Sequence, residues 1–474
     1  MKIGNALPPL GVTDRNTAVL SCKSPSDESC SLQASKENLY LANNNTQNPQ
    51  IVPGNQIDFQ RITGQLASAM HEFTEAANNS QFTTQTLEEV QNKFWTSASG
   101  TQAFFCLEIW KCCEGIAKTL SQEILSRSST KNNISENTGR FKLRTKPVVL
   151  STREGLDITF DLKSTEKGLL INSACVNPGG SSINVARALN NFGTPFELLG
   201  IRGYGPKSDI FTNLLEKEGI NTSNLHEAND DIRFHFCTFL NGKEYWIVAL
   251  SPYISPQEID KITTQLLDTC ENNRGEVLAL ANNPFIGAPT NYMPEIITKT
   301  QDKSNMFVIY DTKLHAVEKE LLNSILNSGP SMIKPNLAEY SEIVQVEENK
   351  LRQDKDLIIH LAQELINKHD LKMVLVSLDK DGALLIDKKR AALAKPPQVT
   401  VASTVGAGDT GIAAMIDRSK KQSFSFKKAN DNQFKDLISA FVAGGAATVT
   451  KPGTELGTLK EVENIEKDVR VRFV

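Results

Sequence analysis

From Lys146 onward, short β-branched apolar runs alternate with longer stretches in which apolar side chains recur every three or four positions. Val148-Val149-Leu150, Phe196–Gly200, Glu276–Ala281, Met306–Tyr310 and Met373–Leu378 have strand length, and helical periodicity begins at Ser182 and Ser208. This alternation predicts an α/β fold, a doubly wound and mostly parallel sheet. Ile232–Leu240 and Tyr245–Leu250 interrupt it and flank Asn241-Gly242, a strong hairpin signal. An antiparallel insertion of this kind suits a lid.

The chain before that point has another texture. A Ser-, Asn-, Gln- and Pro-rich stretch runs from Ser21 to Gln56, poor in the apolar surface that offsets ordering entropy, and residues 1–55 are expected to be flexible. Ile57–Ala77, Thr84–Thr96 and Gln102–Arg127 have helical periodicity and predict a small helical module over 56–128. Asn and Ser crowd Ser126–Thr138, so 129–145 is expected to be a linker and 146–474 the α/β domain. The module shows no chemistry of its own. A role in binding another protein is the expectation that its separateness leaves.

Composition narrows the function classes. A net charge of −4 over 474 residues gives no global pull toward nucleic acid or an anionic membrane. No apolar run reaches the roughly 18–20 residues that span a bilayer, and the start of the chain lacks a secretory core. Eight cysteines without repeated ligand spacing, Cys106 and Cys112-Cys113 among them, read as thiols of a reducing compartment. The expected location is the cytoplasm.

Three motifs carry candidate chemistry. In Ser403-Thr404-Val405-Gly406-Ala407-Gly408-Asp409-Thr410, two glycines let successive N–H groups face one point, and the helix that follows adds its positive dipole end. Asp409 stands where a base would meet both an acceptor hydroxyl and a transferring phosphoryl. Upstream, Pro178-Gly179-Gly180-Ser181-Ser182-Ile183-Asn184 allows close approach of a polyhydroxylated molecule, and the Asn184 amide can both donate and accept. Between them, Lys334 of Lys334-Pro335-Asn336 could reach phosphate, while Asn336 and Glu339 share a face at a helix start and could hold hydrated Mg²⁺ through water. Each motif alone also fits an ordinary turn or helix cap.

Taken together and in this order, the motifs resemble the PfkB, or ribokinase-like, carbohydrate kinases, which carry Gly-Gly-x-x-x-Asn, Lys-Pro-Asn-x-x-Glu and Thr-x-Gly-Ala-Gly-Asp. Asn184–Leu189 and Ala394–Pro397 look most like the branch of 1-phosphofructokinase, the minor 6-phosphofructokinase and tagatose-6-phosphate kinase. The resemblance runs from about Lys146 to the C-terminus. It implies a ribokinase-like fold and transfer of the γ-phosphoryl of ATP to a sugar hydroxyl, with Mg²⁺. Asp409 would be the general base, and Gly406, Ala407 and Gly408 would form the anion hole. Asp157, Gly179, Gly180, Asn184 and Arg233 would bind the acceptor. Lys334, Ser377, Gly382, Thr404 and Gly453 would lie on the nucleotide side with Gly406 and Gly408, and Asn336 and Glu339 on the magnesium side. Lys167–Val176 and Ile232–Leu250 would be lid strands, and a homodimer built through them is implied.

The acceptor end departs from the branch. Where members read Ser-Gly-Ser-Leu-Pro and help hold the substrate phosphate, this chain has Ala281-Asn282-Asn283-Pro284-Phe285. A lid Thr-Arg is replaced by Asp230-Asp231-Ile232-Arg233, and Asp379 replaces a glycine. The expected acceptor is a hexose phosphate. An unphosphorylated sugar or nucleoside, and a catalytically weak binding protein, remain as alternatives.

Overall fold

The computed structural model describes residues 16–20 and 145–474, apart from 166–167, 241–242, 282 and 313–318. The three helical segments expected before Arg127 and nearly all of the expected linker lie outside the described residues. The chain divides into two units, the smaller holding Ile158–Cys175 and His235–Leu250 and the larger Leu143–Asp157, Val176–Phe234 and Ser251–Val474.

The larger unit is built on a ten-stranded sheet. In chain order its strands are β1 (Val148–Leu150), β2 (Glu197–Arg202), β3 (Leu225–Glu227), β4 (Val277–Ala281) and β5 (Phe307–Asp311). Then follow β6 (Met332–Lys334), β7 (Met373–Ser377), β8 (Ala383–Asp387), β9 (Ala391–Lys395) and β10 (Arg470–Phe473). The spatial order is β10-β9-β8-β7-β6-β5-β4-β1-β2-β3. Pairs from β3 to β7 are parallel, and β8, β9 and β10 are added antiparallel.

Alternation of side chains along the strands feeds two cores. Val149, Ala279, Ile309 and Leu375 enter one, where α1 (Ser181–Asn191), α2 (Pro206–Lys217) and three C-terminal helices pack. Val148, Leu150, Leu278, Leu280 and Val376 enter the other, covered by α3 (Pro256–Asn272), α4 (Tyr292–Ser304), α5 (Lys319–Asn327), α6 (Leu337–Val344), α7 (Glu348–Gln353) and α8 (Lys355–His369). The C-terminal helices are α9 (Ala407–Lys421), α10 (Asp431–Val449) and α11 (Leu459–Glu466). Small residues bring α9 and α10 together: a Cβ on Gly411 would lie 2.6 Å from the Phe441 ring.

The topology locates a crevice. From β1 the chain runs outward through β2 and β3, then returns to the other side of β1 at β4 and runs outward again. Loops leaving the carboxyl ends of β1 and β4 therefore part from one another, and such switch points are where open α/β sheets bind ligands.

A second sheet of five strands has the order Asn16–Leu20, Lys243–Ala249, Arg233–Leu240, Gly155–Thr165, Gly168–Gly179. The hairpin expected around Asn241-Gly242 is present as strands paired antiparallel with Leu240 opposite Lys243, the two turn residues themselves lying outside the described ones. Several strands extend the expected set: β3, β8 and β9, Gly155–Thr165, whose Leu156, Ile158 and Phe160 alternate, and β10 with its Arg470-Val471-Arg472-Phe473 pattern. Among the described residues no helix is long and apolar enough to cross a membrane.

Candidate active site

The start of α9 is the chemical centre. Gly406 caps the helix in the left-handed region at φ 74°, where glycine is favoured, and no side chain caps it. The first N–H groups of a helix have no partner within it, so those of Ala407 and Gly408 stay available for an anion at the positive dipole end. Helices α3, α6 and α10, by contrast, carry capping boxes that consume theirs. The helix is held in place by Thr448, whose hydroxyl donates to Thr410 Oγ1 at 2.8 Å and accepts from Gly457 N–H at 3.0 Å.

Two distant segments meet there. Asn184, in the first turn of α1, donates from Nδ2 to Asp409 Oδ2 at 2.9 Å. Both side chains are buried, and Asn184 Oδ1 has no hydrogen-bond partner among the described residues. Lys334, at the end of β6, presses its amine against the loop: a Cβ on Gly408 would lie 2.7 Å from Nζ. The same amine pairs with Asp311 at 2.6 Å, and strand register sets Asp311 beside Lys334. An acidic residue ending the apolar run Phe307–Tyr310 was the signal for Asp311, which sequence inspection passes over.

Asp157 and Gly179 are in direct contact, since any Cβ on Gly179 would collide with the Asp157 carboxylate. Gly180, at φ 112°, faces the Arg153 carbonyl, with 2.8 Å to a hypothetical Cβ. Burial pushes the Asp157 carboxyl up to about 7; the charges of Arg233 and Arg187 oppose this, and Asp409 adds to it. Arg187 is a second residue whose role was not foreseen. Its guanidinium donates to Glu218 at 2.8 Å, to the Pro178 carbonyl at 3.2 Å and to the Thr454 carbonyl at 3.3 Å. It thereby ties the Gly179-Gly180 stretch to the loop after Gly453.

On the remaining side, Asn336 and Glu339 adopt an arrangement tighter than a shared helix face. Glu339 N–H donates to Asn336 Oδ1 at 2.8 Å, and Asn336 N–H donates to Glu339 Oε2 at 2.9 Å, capping α6 reciprocally. The Thr312 hydroxyl also donates to Glu339 Oε2 at 3.1 Å. Ser377 closes β7 alongside Asn336, with its N–H on the Pro335 carbonyl at 3.0 Å. Gly382 turns the chain at φ 96° against the Ala394 carbonyl, Thr404 is exposed, and Gly453 is buried at φ 58°. Among the described residues no group of three or more His, Cys, Asp or Glu side chains could hold a metal directly.

The crevice at the switch point is lined by charge. Thr152 Oγ1 donates to the Asn283 carbonyl at 2.6 Å and Arg153 Nε to the Pro284 carbonyl at 2.9 Å, locking the loops after β1 and β4 together. Arg233 Nη2 donates to the Arg153 carbonyl at 2.8 Å. Glu154 is fully buried, accepts from Ile201 N–H at 2.8 Å, and is pushed by burial up to about 7. Burial, helped by the charge of Arg153, brings Arg233 down to about 10. Two charges directly after an apolar strand, Arg153 and Glu154, were the overlooked signal.

A family model described as pfkB family carbohydrate kinase matches residues 156–460. The chain belongs to that family. Among characterised relatives, the ATP-dependent 6-phosphofructokinase isozyme 2 of Escherichia coli K12 is 28% identical over 291 residues, 61% of this chain and 86% of the relative. The 1-phosphofructokinase of Borreliella burgdorferi is 28% identical over 290 residues, 61% of this chain and 84% of its own. Among solved structures, phosphofructokinase-2 of E. coli in complex with potassium is similar at a TM-score of 0.59 and 25% identity, covering 68% of this chain and 99% of that one. The kinase is thus a phosphotransferase acting on an alcohol group of a carbohydrate, with ATP as co-substrate, and its mostly parallel α/β sheet is ribokinase-like.

Proposed function

We propose that this kinase phosphorylates a hexose phosphate of the fructose or tagatose type. The observation that carries the transfer chemistry is Asp409, fixed by Asn184 at an uncapped helix start beside the Lys334 amine, and the similarity to two phosphofructokinases supports the choice of acceptor. Asp409 takes the proton of the acceptor hydroxyl while its oxygen bonds to the γ-phosphorus and the bond to the ADP oxygen breaks. The N–H groups of Gly406, Ala407 and Gly408 meet the charge on the transferring group, and Lys334 adds a cation. Asp157, Gly179, Gly180 and the unpartnered Asn184 Oδ1 receive acceptor hydroxyls, while Ser377, Gly382, Thr404 and Gly453 line the nucleotide side.

One carboxylate with a neighbouring amide suits a hydrated ion better than a dehydrated one. Glu339 and Asn336 would hold Mg²⁺ through water, and the ion when bound neutralises phosphate charge. The family resemblance supports a homodimer in the cytoplasm, with residues 1–145 outside the catalytic unit; a chain starting at Thr138 that loses activity would refute the last point.

The test is ADP formation by the purified chain with ATP and Mg²⁺ against fructose 6-phosphate, fructose 1-phosphate, tagatose 6-phosphate, free hexoses, pentoses and nucleosides. Turnover with a hexose phosphate is expected. Turnover confined to unphosphorylated acceptors would establish the second reading, which the Asn282-Asn283 loop favours by lacking serine hydroxyls.

A further inference from the structure

The loop that supplies serines for the substrate phosphate elsewhere in the branch has none here, yet the crevice is not short of donors. Arg233 reaches the backbone of Arg153, and the charge of Arg153 disfavours the charge of Arg233. Arg153 spends Nε on the Pro284 carbonyl, and Arg233 spends one Nη on the Arg153 carbonyl. Among the described residues neither guanidinium has a carboxylate within ion-pair distance, the charges of Glu154 and Asp157 offsetting theirs only from farther off, and Arg233 Nε is buried without a partner. Two neighbouring cations withdrawn from water repel unless an anion sits with them. Planar forks with unused N–H donors match the oxygens of a phosphate dianion.

Their placement also fits. Gly179 abuts the Asp157 carboxylate and its neighbour Gly180 the Arg153 carbonyl, while Asn184 of the same segment reaches Asp409, so one short stretch of chain touches all three. The Arg233 stem rests on Gly155, where a Cβ would come within 3.0 Å of Arg233 Cγ. An acceptor with its reacting hydroxyl at Asp409 and its middle hydroxyls at Asp157 would bring its far end to the arginines.

We propose that Arg153 joins Arg233, which the family resemblance already assigns to the acceptor, in seating the acceptor's phosphate, and that Arg153 is the residue that selects a phosphorylated sugar over a free one. The assignment rests on the hexose-phosphate reading above. It adds a residue, Arg153, that also braces the Asn283-Pro284 loop through backbone carbonyls, so the same side chain shapes the seat and charges it.

The experiment compares wild type, Arg153→Met and Arg153→Lys in the full chain, with fructose 6-phosphate and fructose as paired acceptors and inorganic phosphate as a calorimetric probe. Arg153→Met is expected to raise KM for fructose 6-phosphate about 10- to 100-fold. Its KM for ATP should stay near wild type, its loss on fructose should be at least about tenfold smaller than its loss on fructose 6-phosphate, and Arg153→Lys should recover part of the latter. Phosphate binding should weaken at least about tenfold in Arg153→Met. A KM for fructose 6-phosphate within twofold of wild type would overturn the inference and leave the hexose-phosphate reading standing. Equal losses on both acceptors, or a lowered melting temperature not shared by Arg153→Lys, would reduce Arg153 to a brace and overturn it too. If wild type phosphorylates no sugar phosphate, that reading fails instead. Phosphate binding that still depends on Arg153 would then keep the anion seat, and binding indifferent to Arg153 would sink both.

Discussion

At the start of α9 the site is mostly backbone: a left-handed glycine, free N–H groups and a helix dipole, with one carboxylate and one lysine added. Across the crevice, after β1 and β4, it is mostly side chain, with Arg153, Glu154, Asp157 and Arg233 packed around two short loops. The transfer end follows the family motif residue by residue, whereas the acceptor end does not. Charge spread over phosphoryl oxygens makes the same demand for every acceptor, and backbone dipoles meet it. Acceptors differ in where hydroxyls and phosphates lie, so side chains on loops at strand ends can be exchanged without disturbing the sheet.

Replacing the base should give the largest effect. Asp409→Asn is expected to lower kcat by roughly 10²–10⁴ with KM for ATP little changed, read from steady-state ADP formation. A loss divided evenly between kcat and acceptor KM would erase the distinction between the two ends.

Gly408→Ala comes next. The added Cβ meets the end of the Lys334 side chain, which must shift on its pair with Asp311, so the melting temperature should fall slightly while kcat/KM falls by about 10- to 100-fold. Loss of folding instead would show that the loop is structural before it is catalytic.

The acceptor end should betray itself through pH. An ionised Asp157 accepts from hydroxyls, and its carboxyl stands at about 7. Acceptor kcat/KM should therefore rise by about tenfold between pH 6 and 8, and Asp157→Asn should abolish that rise. An unchanged profile in the variant would assign the titration to another group.

The smallest effect concerns stability. Glu154 has a folded pKa of about 7 against an ordinary 4.5, so it favours the folded state below the ordinary value and loses that contribution as pH climbs through 7. Glu154→Gln keeps an acceptor for Ile201 N–H and cannot ionise. Its melting temperature should exceed wild type by about 2–6 °C at pH 8 and by less at pH 5. Equal shifts at both values would mean that Glu154 does not titrate in the fold.

How much of this was legible in the sequence follows the same division. Alternating strands and helices, the hairpin strands and the three motifs all show as local pattern, and the fold brings Asn184 to Asp409 and Lys334 to Gly408. Arg153, Glu154 and Asp311 escaped because a charged residue after a strand ordinarily reads as solvated. Only the packing of loops from β1, β4 and β5 reveals that Glu154 and Asp311 are buried, Arg153 is half-buried, and all three are paired with backbone or lysine. Asn336 and Glu339 show the converse limit. Their three-residue spacing was readable, but it serves a capping box as well as it would serve a metal, and both uses place the side chains alike at a helix start.

The account is tested most directly by following ATP, Mg²⁺ and fructose 6-phosphate with the full chain by phosphorus NMR. It predicts a second phosphomonoester resonance on the sugar that grows in step with ADP and is absent with Asp409→Asn. ADP accompanied only by inorganic phosphate, or a new ester formed equally well by Asp409→Asn, would contradict it.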